Sequence, residues 1–167
     1  MRKFQALLPS HTQQAQAQGR SDMQSKGDNI EVTLVPRELV PSFWELAAAH
    51  ISRGCRAAGL PLHMELERLT AGLDALWLIV EGKTILGVFV TTICDDGSQR
   101  FVGVSNLSGF GAKRWGAKMG DRVMDFARAN KCAYARWYGK RGWMRIIDNA
   151  SIIGQHDSGH LVYERAA

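Results

Sequence analysis

The sequence lacks the marks of a membrane-spanning, disulfide-bonded or zinc-binding protein. Its apolar runs at 76–80 and 85–90 both end at polar residues, short of the roughly 20 residues that a membrane-spanning helix needs. The three cysteines, Cys55, Cys94 and Cys132, are odd in number, far apart and outside any Cys-x-x-Cys pair. We therefore expect free, largely buried thiols in a reducing compartment.

Acidic residues are also in short supply. The chain has 16 Asp and Glu against 21 Lys and Arg, a net charge of +5. This balance suits a partner that carries phosphate, such as a nucleotide cofactor, nucleic acid or an anionic surface. The length of 167 residues indicates one globular domain, and the apolar segment 4–8 is too short for a signal peptide. A soluble, intracellular protein is expected.

Residues 1–28 differ from the rest of the chain. Glutamines alternate there with Ala, Ser and Gly, without apolar periodicity. Such a segment cannot bury enough surface to offset its conformational entropy. We predict a flexible tail over residues 1–28 and one domain over residues 29–167.

From residue 29 onward, apolar periodicity predicts an α/β domain with the order β-α-α-β-β-β-α-β-α-β. The predicted helices begin near Pro36 or Pro41 and cover 62–71, 113–130 and a short segment at 142–147. The predicted strands cover 30–35, 76–80, 85–93, 100–107 and 132–137, and the C-terminal part holds two candidate strands, 151–154 and 160–164. Turn residues at 81–83 and 95–98 predict an antiparallel meander.

Helical spacing also predicts which residues enter the core. The first helix has a stripe at spacings of four, the second a stripe on one face, and the long helix an apolar side opposite a charged one. These sets are Leu39, Phe43, Ala47, Ile51 and Cys55; Leu62, Leu66 and Leu69; and Trp115, Met119, Val123, Phe126 and Ala127.

A glycine turn, Gly109-Phe110-Gly111, joins a predicted strand to the long helix. Glycines allow a sharp turn, and the first N–H groups of a helix have no intrahelical partner. A phosphate or carbonyl oxygen can satisfy them, helped by the helix dipole. Most Gly-x-Gly turns do nothing but turn the chain, yet Lys113 and Arg114 add positive charge beside this one.

The element order and several motifs resemble the GNAT-fold acyltransferases, and more narrowly small GNAT-like proteins encoded by bacteriophages. The likeness covers about residues 43–164, and its most specific part is Tyr-Gly-Lys-Arg-Gly-Trp-Met-Arg at 138–145. The other parts are 76–80, Arg114-Trp115 and 127–132. The superfamily pattern Arg/Gln-x-x-Gly-x-Gly/Ala falls on about 108–113, where this chain lacks the leading Arg or Gln.

The resemblance implies acetyl-CoA or another acyl-CoA as cofactor and an N-acyltransferase that acetylates an amine. It implies that the strand with Val104, Asn106 and Leu107 splays from the 132–137 strand and admits the pantetheine. The implied pyrophosphate site is the turn Gly109, Phe110, Gly111 and Ala112, with Lys113 or Arg114 on the phosphates. Tyr138 stands where a family acid would protonate the leaving thiolate, although packing is the more common role of such an aromatic residue.

Alternatives to this interpretation remain. Asp95 and Asp96 are more typical of a hairpin turn than of a catalytic base, and no carboxylate lies on the 100–107 strand. The segment 156–160 is more typical of a polar turn than of a metal site, so no metal is predicted. The aromatic and basic residues of the run 134–145 are also compatible with nucleic-acid binding, which is the less favoured interpretation.

The main alternative is that the chain is a non-catalytic GNAT-fold phage protein, which forms part of the virion or takes part in its assembly. It would bind protein partners through the tail. The expected location is then the virion; for the enzyme it is the cytoplasm of the bacterial host cell, without membrane attachment.

Overall fold

A computed structural model of the protein describes residues 29–57 and 59–167, so the predicted tail lies outside the described residues. The described strands form one seven-stranded sheet in the order β1-β2-β3-β4-β5-β7-β6. They are β1 Ile30–Leu34, β2 Asp74–Glu81, β3 Thr84–Asp95, β4 Arg100–Gly109, β5 Tyr134–Gly139, β6 Ser151–Gln155 and β7 Leu161–Ala166. The helices are α1 Val40–Ala57, α2 Leu62–Ala71 and α3 Ala112–Ala129, with 3-10 segments at Arg37–Leu39 and Arg141–Arg145.

The sheet is mixed, and this follows from its connections. Strands β2 to β4 pair antiparallel, as the turn residues predict, and β1 pairs antiparallel to β2 across a connection of two helices. Helix α3 then crosses over so that β5 lies parallel to β4, and β7 pairs antiparallel to β5 with β6 at the edge. The predicted α/β class and element order are confirmed, with bounds that differ by a few residues.

Helices α1 and α2 cover one face of the sheet. Ala47, Ile51 and Cys55 of the α1 stripe are buried, as predicted. Leu39 is an exception, because it lies in the 3-10 segment before α1 and is 43% exposed. The tighter period of that segment rotates Leu39 outward and places Val40 in the core instead, at 2% exposure.

Helix α3 covers the opposite face. The predicted apolar side of α3 is buried at Trp115, Met119, Val123 and Ala127, and Phe126 is half-buried. Most side chains of the two cores are those that the helix and strand periodicities direct toward each other, and Val35, Cys132 and Ile147 join them from the connecting segments. None of the helices in the described ranges has the length and apolarity to span a bilayer.

The segment after β5 packs on α3 through glycines. A Cβ on Gly139 would lie 2.5 Å from Cδ1 of Trp143, and one on Gly116 of α3 would overlap the side chain of Ile146. The hydroxyl of Tyr163 donates to the carbonyl of Lys140 at 2.9 Å and closes the same region. The run at 138–145 is therefore a packing motif that holds the end of β5 against α3.

Candidate functional site

The candidate site begins where β4 and β5 separate. The two parallel strands are paired at four positions, from Phe101 with Tyr134 to Val104 with Trp137. Beyond that pair β4 continues to Gly109 and β5 to Gly139 without pairing to each other. We call the gap between residues 105–109 and 138–139 the wedge. Backbone groups that face it have no strand partner there, so they can bind an extended polar ligand.

A β-bulge in β4 lies at the wedge. Val90 pairs with Ser105 and Val88 with Ser108, so two residues of β4, Asn106 and Leu107, stand opposite one residue of β3. Asn106 has a φ of 50°, which is uncommon for a residue other than glycine. Such a bulge bends its strand and redirects its backbone groups.

Helix α1 lies directly on this bulge. A Cβ on Gly54 would come 2.9 Å from Cα of Asn106 and would overlap its Oδ1. The helix can approach the bulge this closely only because residue 54 has no side chain. The position of Asn106 is therefore set by α1 as well as by the sheet.

Glu65 interacts electrostatically with several polar side chains, and we call Cys55, Glu65, Arg68, Asp74 and Asn106 the polar cluster. Glu65, on α2, is only 5% exposed, and its Oε1 has no hydrogen-bond partner among the described residues. The side-chain amide of Asn106 lowers the pKa of Glu65 and of the Cys55 thiol, against the larger effect of burial. Arg68 donates twice to Asp74, at 2.6 and 2.9 Å.

The environment of the polar cluster favours the neutral form of its buried acid. Burial raises the pKa of Glu65, and the negative charge of Asp74 raises it further, while Arg68 and Asn106 oppose this change. Burial likewise raises the pKa of the Cys55 thiol, with a further contribution from Glu65. A buried carboxyl with a raised pKa beside a distorted strand is typical of a functional site.

The glycine turn follows the bulge. Gly109 pairs with Gly87 on β3, and a Cβ on Gly109 would lie 2.5 Å from the carbonyl oxygen of Leu86. The Phe110 N–H donates to that same carbonyl at 2.9 Å. This hydrogen bond removes the Phe110 amide from the predicted anion site, and the glycine at 109 serves packing on β3.

The N-terminus of α3 retains free donors. Gly111 caps the helix with a φ of 70°, and the N–H of Arg114 turns back to the Gly111 carbonyl at 2.8 Å. The N–H groups of Gly111, Ala112 and Lys113 make no hydrogen bond within the part of the chain that the structure describes. Three backbone donors and the positive end of the helix dipole thus point to one place.

The two basic side chains at this end of α3 differ. Arg114 forms an ion pair with Glu81 at the β2–β3 turn. Lys113 is exposed. Of the two predicted phosphate ligands, Lys113 therefore remains the better placed, because Arg114 already shares its charge with a carboxylate.

The floor of the wedge is apolar. Val104 and Trp137, the last residue pair of the β4–β5 ladder, line a small cavity together with Met119 and Val123 of α3, with Arg165 also at its wall. The indole N–H of Trp137 is buried without a hydrogen-bond partner in the described residues. Leu107 packs against the same core.

Tyr138 lies at the same end of the sheet as Asn106, because β4 and β5 are parallel. It is 52% exposed, and the edge of its ring packs on His156 in the β6–β7 turn, with 5.2 Å between ring centroids. Tyr134 and Arg136, which share its face of the strand, are half-buried. The structure thus brings Val104, Asn106, Leu107 and Tyr138 to the wedge.

Tyr134 and Arg136 form an internal network. The Tyr134 hydroxyl donates to Asp96 at 2.6 Å, and Arg136 pairs with Glu164 and stacks on Phe101 at 4.7 Å. Burial and then the hydrogen bond to Asp96 raise the pKa of Tyr134 to about 12. The hydrogen bond from Tyr134 holds the pKa of Asp96 well below its usual range. These contacts give Tyr134 and Arg136 a structural role.

Glu65 is not among the site residues predicted from the sequence. Its position carries a signal, however, because it follows Leu62 by three residues and precedes Leu69 by four. It therefore lies on the apolar stripe of α2, where a carboxylate is unusual.

Solved structures share this architecture. A predicted acetyltransferase from Clostridium acetobutylicum, solved with acetyl-CoA, is 12% identical with a TM-score of 0.53 over 70% of this chain and 85% of that one. The PaiA N-acetyltransferase of Thermoplasma acidophilum, in complex with coenzyme A, is 11% identical with a TM-score of 0.55 over 83% and 99%. FeeM, an N-acyl amino acid synthase from uncultured soil microbes, is 10% identical with a TM-score of 0.58 over 82% and 89%.

These likenesses establish that the chain has the fold of the GNAT acetyltransferases, and the predicted GNAT-like mixed sheet is confirmed. No protein-family model matches the sequence, and a search of curated proteins finds no relative.

Proposed function

We propose that this chain is an acyl-CoA-dependent N-acyltransferase that transfers an acetyl group to an amine. The observation that carries the proposal is the wedge, which opens at a bulge in β4 and faces the free N-terminus of α3. Structural neighbours solved with acetyl-CoA and with coenzyme A support it. Three unpartnered amides beside an unpaired strand edge fit a ligand that is anionic at one end and amide-rich along its length.

The cofactor would lie along residues that the chain already presents. The amides of Gly111, Ala112 and Lys113, with the Lys113 ammonium, would bind the pyrophosphate. Backbone groups of Val104, Asn106 and Leu107 would bind the pantetheine in the wedge. Gly109 and Phe110 would shape the turn, and Arg114 would contribute long-range positive charge beside Glu81.

Acyl-CoA supplies the activated acyl group when it is bound. The amine nitrogen forms the new bond to the acyl carbon, the carbon–sulfur bond breaks, the amine gives up a proton, and the sulfur accepts one. Backbone N–H groups at the bulge would polarise the acyl carbonyl. Tyr138, at the open end of the wedge, would provide the proton for sulfur.

Calorimetric titration with acetyl-CoA tests the proposal. The unmodified protein should bind, and Lys113→Glu should weaken binding by about tenfold, since it replaces an attractive charge by a repulsive one near phosphate. Lys131→Glu is the matched control, because it makes the same charge change beyond the far end of α3. Absence of binding by the unmodified protein contradicts the proposal.

A second candidate function is that of a non-catalytic GNAT-fold protein in a phage virion or in its assembly. The residues of the glycine turn favour it. The leading Arg or Gln of the superfamily pattern is missing, and Arg114 is engaged by Glu81. Such a protein would bind protein partners, with residues 1–28 as one contact, and would reside in the virion instead of the host cytoplasm. Turnover of acetyl-CoA with any amine excludes this candidate, whereas stoichiometric co-purification with virion components without acetyl-CoA binding supports it.

A further inference from the structure

The closed end of the wedge is formed by the last residue pair of the β4–β5 ladder. Val104 and Trp137 are partners in that ladder, and both side chains belong to the core under α3. They are only 6% and 4% exposed. Side chains alternate between the two faces of a strand, so the next residues, Ser105 and Tyr138, lie on the opposite face, where both are exposed. The end of the wedge is therefore closed on the α3 side and open on the other.

The Trp137 ring is fixed in place by its neighbour on β7. It stacks on the ring of Tyr163, with 5.8 Å between the ring centroids and 12° between the ring planes. Tyr163 is fully buried, and its hydroxyl donates to the carbonyl of Lys140 at 2.9 Å. Because protein interiors are close-packed, a side chain held in this way does not move aside for a ligand without disturbing the core.

Little space remains beside the Trp137 ring. The cavity that Val104 and Trp137 line together with Met119 and Val123 has a volume of about 10 Å³. A single water molecule needs roughly 10–15 Å³ of such space. The closed end of the wedge therefore has room for one small group and none for an extended alkyl chain.

The proposed cofactor would bring its acyl group to this closed end. Its pyrophosphate would bind the amides of residues 111–113, and the thioester lies at the opposite end of the pantetheine arm. The part of β4 between these points, residues 105–109, spans about 16 Å at roughly 3.3 Å per residue. An extended arm along these residues would end beside Val104 and Trp137, with the acyl group directed to the cavity.

We infer that Trp137 is a specificity-determining residue: its ring closes the wedge, so that the site accepts an acetyl group and rejects butyryl and longer acyl chains. The inference rests on the proposed function, which supplies the acyl-CoA and its position. The methyl group of acetyl-CoA occupies the apolar cavity, and the amine approaches from the open side over Ser105 and Tyr138. A longer chain would have to displace buried side chains, as an overpacking substitution does.

Calorimetric titration of the unmodified protein with coenzyme A, acetyl-CoA and butyryl-CoA tests the inference. Coenzyme A and acetyl-CoA should bind with similar affinity, and butyryl-CoA should bind at least about tenfold more weakly, because its chain overpacks the core. Equal affinities for acetyl-CoA and butyryl-CoA would overturn the inference and leave the acyltransferase intact, since the longer chain would then leave by the open side. Absence of binding by all three would overturn both the proposed function and the inference.

Two variants should relax the selectivity, Val104→Ala and Trp137→Leu. Each removes part of the wall, so the affinity for butyryl-CoA should rise by about tenfold while that for acetyl-CoA changes little. Trp137→Phe is the control for the second variant, because it keeps an aromatic ring at the wall. It also loses no hydrogen bond, since the indole N–H has no partner in the described residues. Trp137→Phe should therefore still reject butyryl-CoA.

Val102→Ala is the matched control for Val104→Ala, and this pair keeps the test available if Trp137→Leu folds poorly. Val102 is also a buried valine of β4 on the same face, but it does not line the cavity. A gain in butyryl-CoA affinity that is confined to Val104→Ala therefore reflects the wall and not a loosened core. An equal gain in Val102→Ala, or no gain in either Val104→Ala or Trp137→Leu, would overturn the inference.

Discussion

Gly54 of α1 and Asn106 of β4 are in direct contact across the boundary between helix and sheet. A Cβ on Gly54 would lie 2.9 Å from Cα of Asn106, closer than side-chain carbons normally approach a backbone. The close packing of α1 therefore prevents the β4 bulge from moving toward the helix. Its geometry depends on a residue that lies about fifty positions earlier in the chain, on an element that does not line the wedge itself.

Replacing Gly54 by alanine should displace Asn106. The added methyl group has nowhere to go, so we expect a loss of about 1–3 kcal/mol in the free energy of unfolding, as for other overpacked sites. Acetyl-CoA affinity should fall in parallel. Urea denaturation and calorimetry measure both, with Gly142→Ala as a control because a Cβ at Gly142 meets no atom within 4 Å. Equal stability of the two variants would contradict the steric argument.

Gly139→Ala should loosen the segment after β5. A Cβ there would lie 2.5 Å from Trp143, whose ring must then leave its contact with α3. We expect a loss of about 1–3 kcal/mol in stability and a red-shifted tryptophan fluorescence as the ring becomes hydrated. Gly142→Ala, three residues later in the same motif, should leave both unchanged. A stable Gly139→Ala protein with unshifted fluorescence would refute this account of the motif.

Glu65→Gln should change how stability depends on pH. Because burial raises the pKa of Glu65 in the folded state, the unfolded chain loses this proton first as the pH rises above 4.5, and ionisation then favours unfolding. Removing the carboxyl should therefore benefit the protein more at pH 7 than at pH 4. Each pH unit by which folding raises this pKa corresponds to about 1.4 kcal/mol. Denaturation of Glu65→Gln at both pH values measures the difference, with Glu67→Gln, an exposed glutamate of α2, as the matched control. A change in stability that is equal at pH 7 and pH 4 would contradict the effect of burial.

The ionisation of Tyr134 should depend on Asp96. Burial and the hydrogen bond to Asp96 raise its pKa to about 12. Asp96→Asn removes a negative charge and a strong acceptor, so the midpoint for Tyr134 should fall while burial keeps it above an exposed tyrosine. Magnetic resonance of isotope-labelled tyrosine, assigned with Tyr134→Phe, follows this directly. If the titration midpoint of Tyr134 is the same in Asp96→Asn as in the unmodified protein, the hydrogen bond is absent in solution.

Periodicity predicts much of this fold because its long elements are regular. Helix α2 begins and ends where the sequence predicts, with Gly72 in the left-handed conformation that ends a helix, and the apolar side of α3 is buried as expected. Leu39 is misplaced because a 3-10 segment interrupts the helical period before α1. Local patterns describe regular backbone well and its interruptions poorly.

The candidate site is harder to predict because it depends on contacts between distant segments. The residues next to Asn106 in the sequence do not predict a bulge, since the structural feature beside its left-handed backbone is Gly54 of α1. Gly109 has the pattern of a ligand-binding glycine, yet its close approach is to β3. Glu65 could be noticed on its apolar stripe, but its neighbours come from three other elements.

The separation of β4 from β5 gives the sheet an unusual mechanical character. Among the described strands, four residue pairs join the meander β1–β4 to the group β5–β7, as few as join β6 to β7 at the edge, so one of the two shortest seams of the sheet runs through its middle. Amide protons on either side of this seam should exchange with solvent faster than their central position suggests. A molecule that fills the seam would then act as a missing strand, and would stiffen two halves that the covalent chain connects mainly through α3.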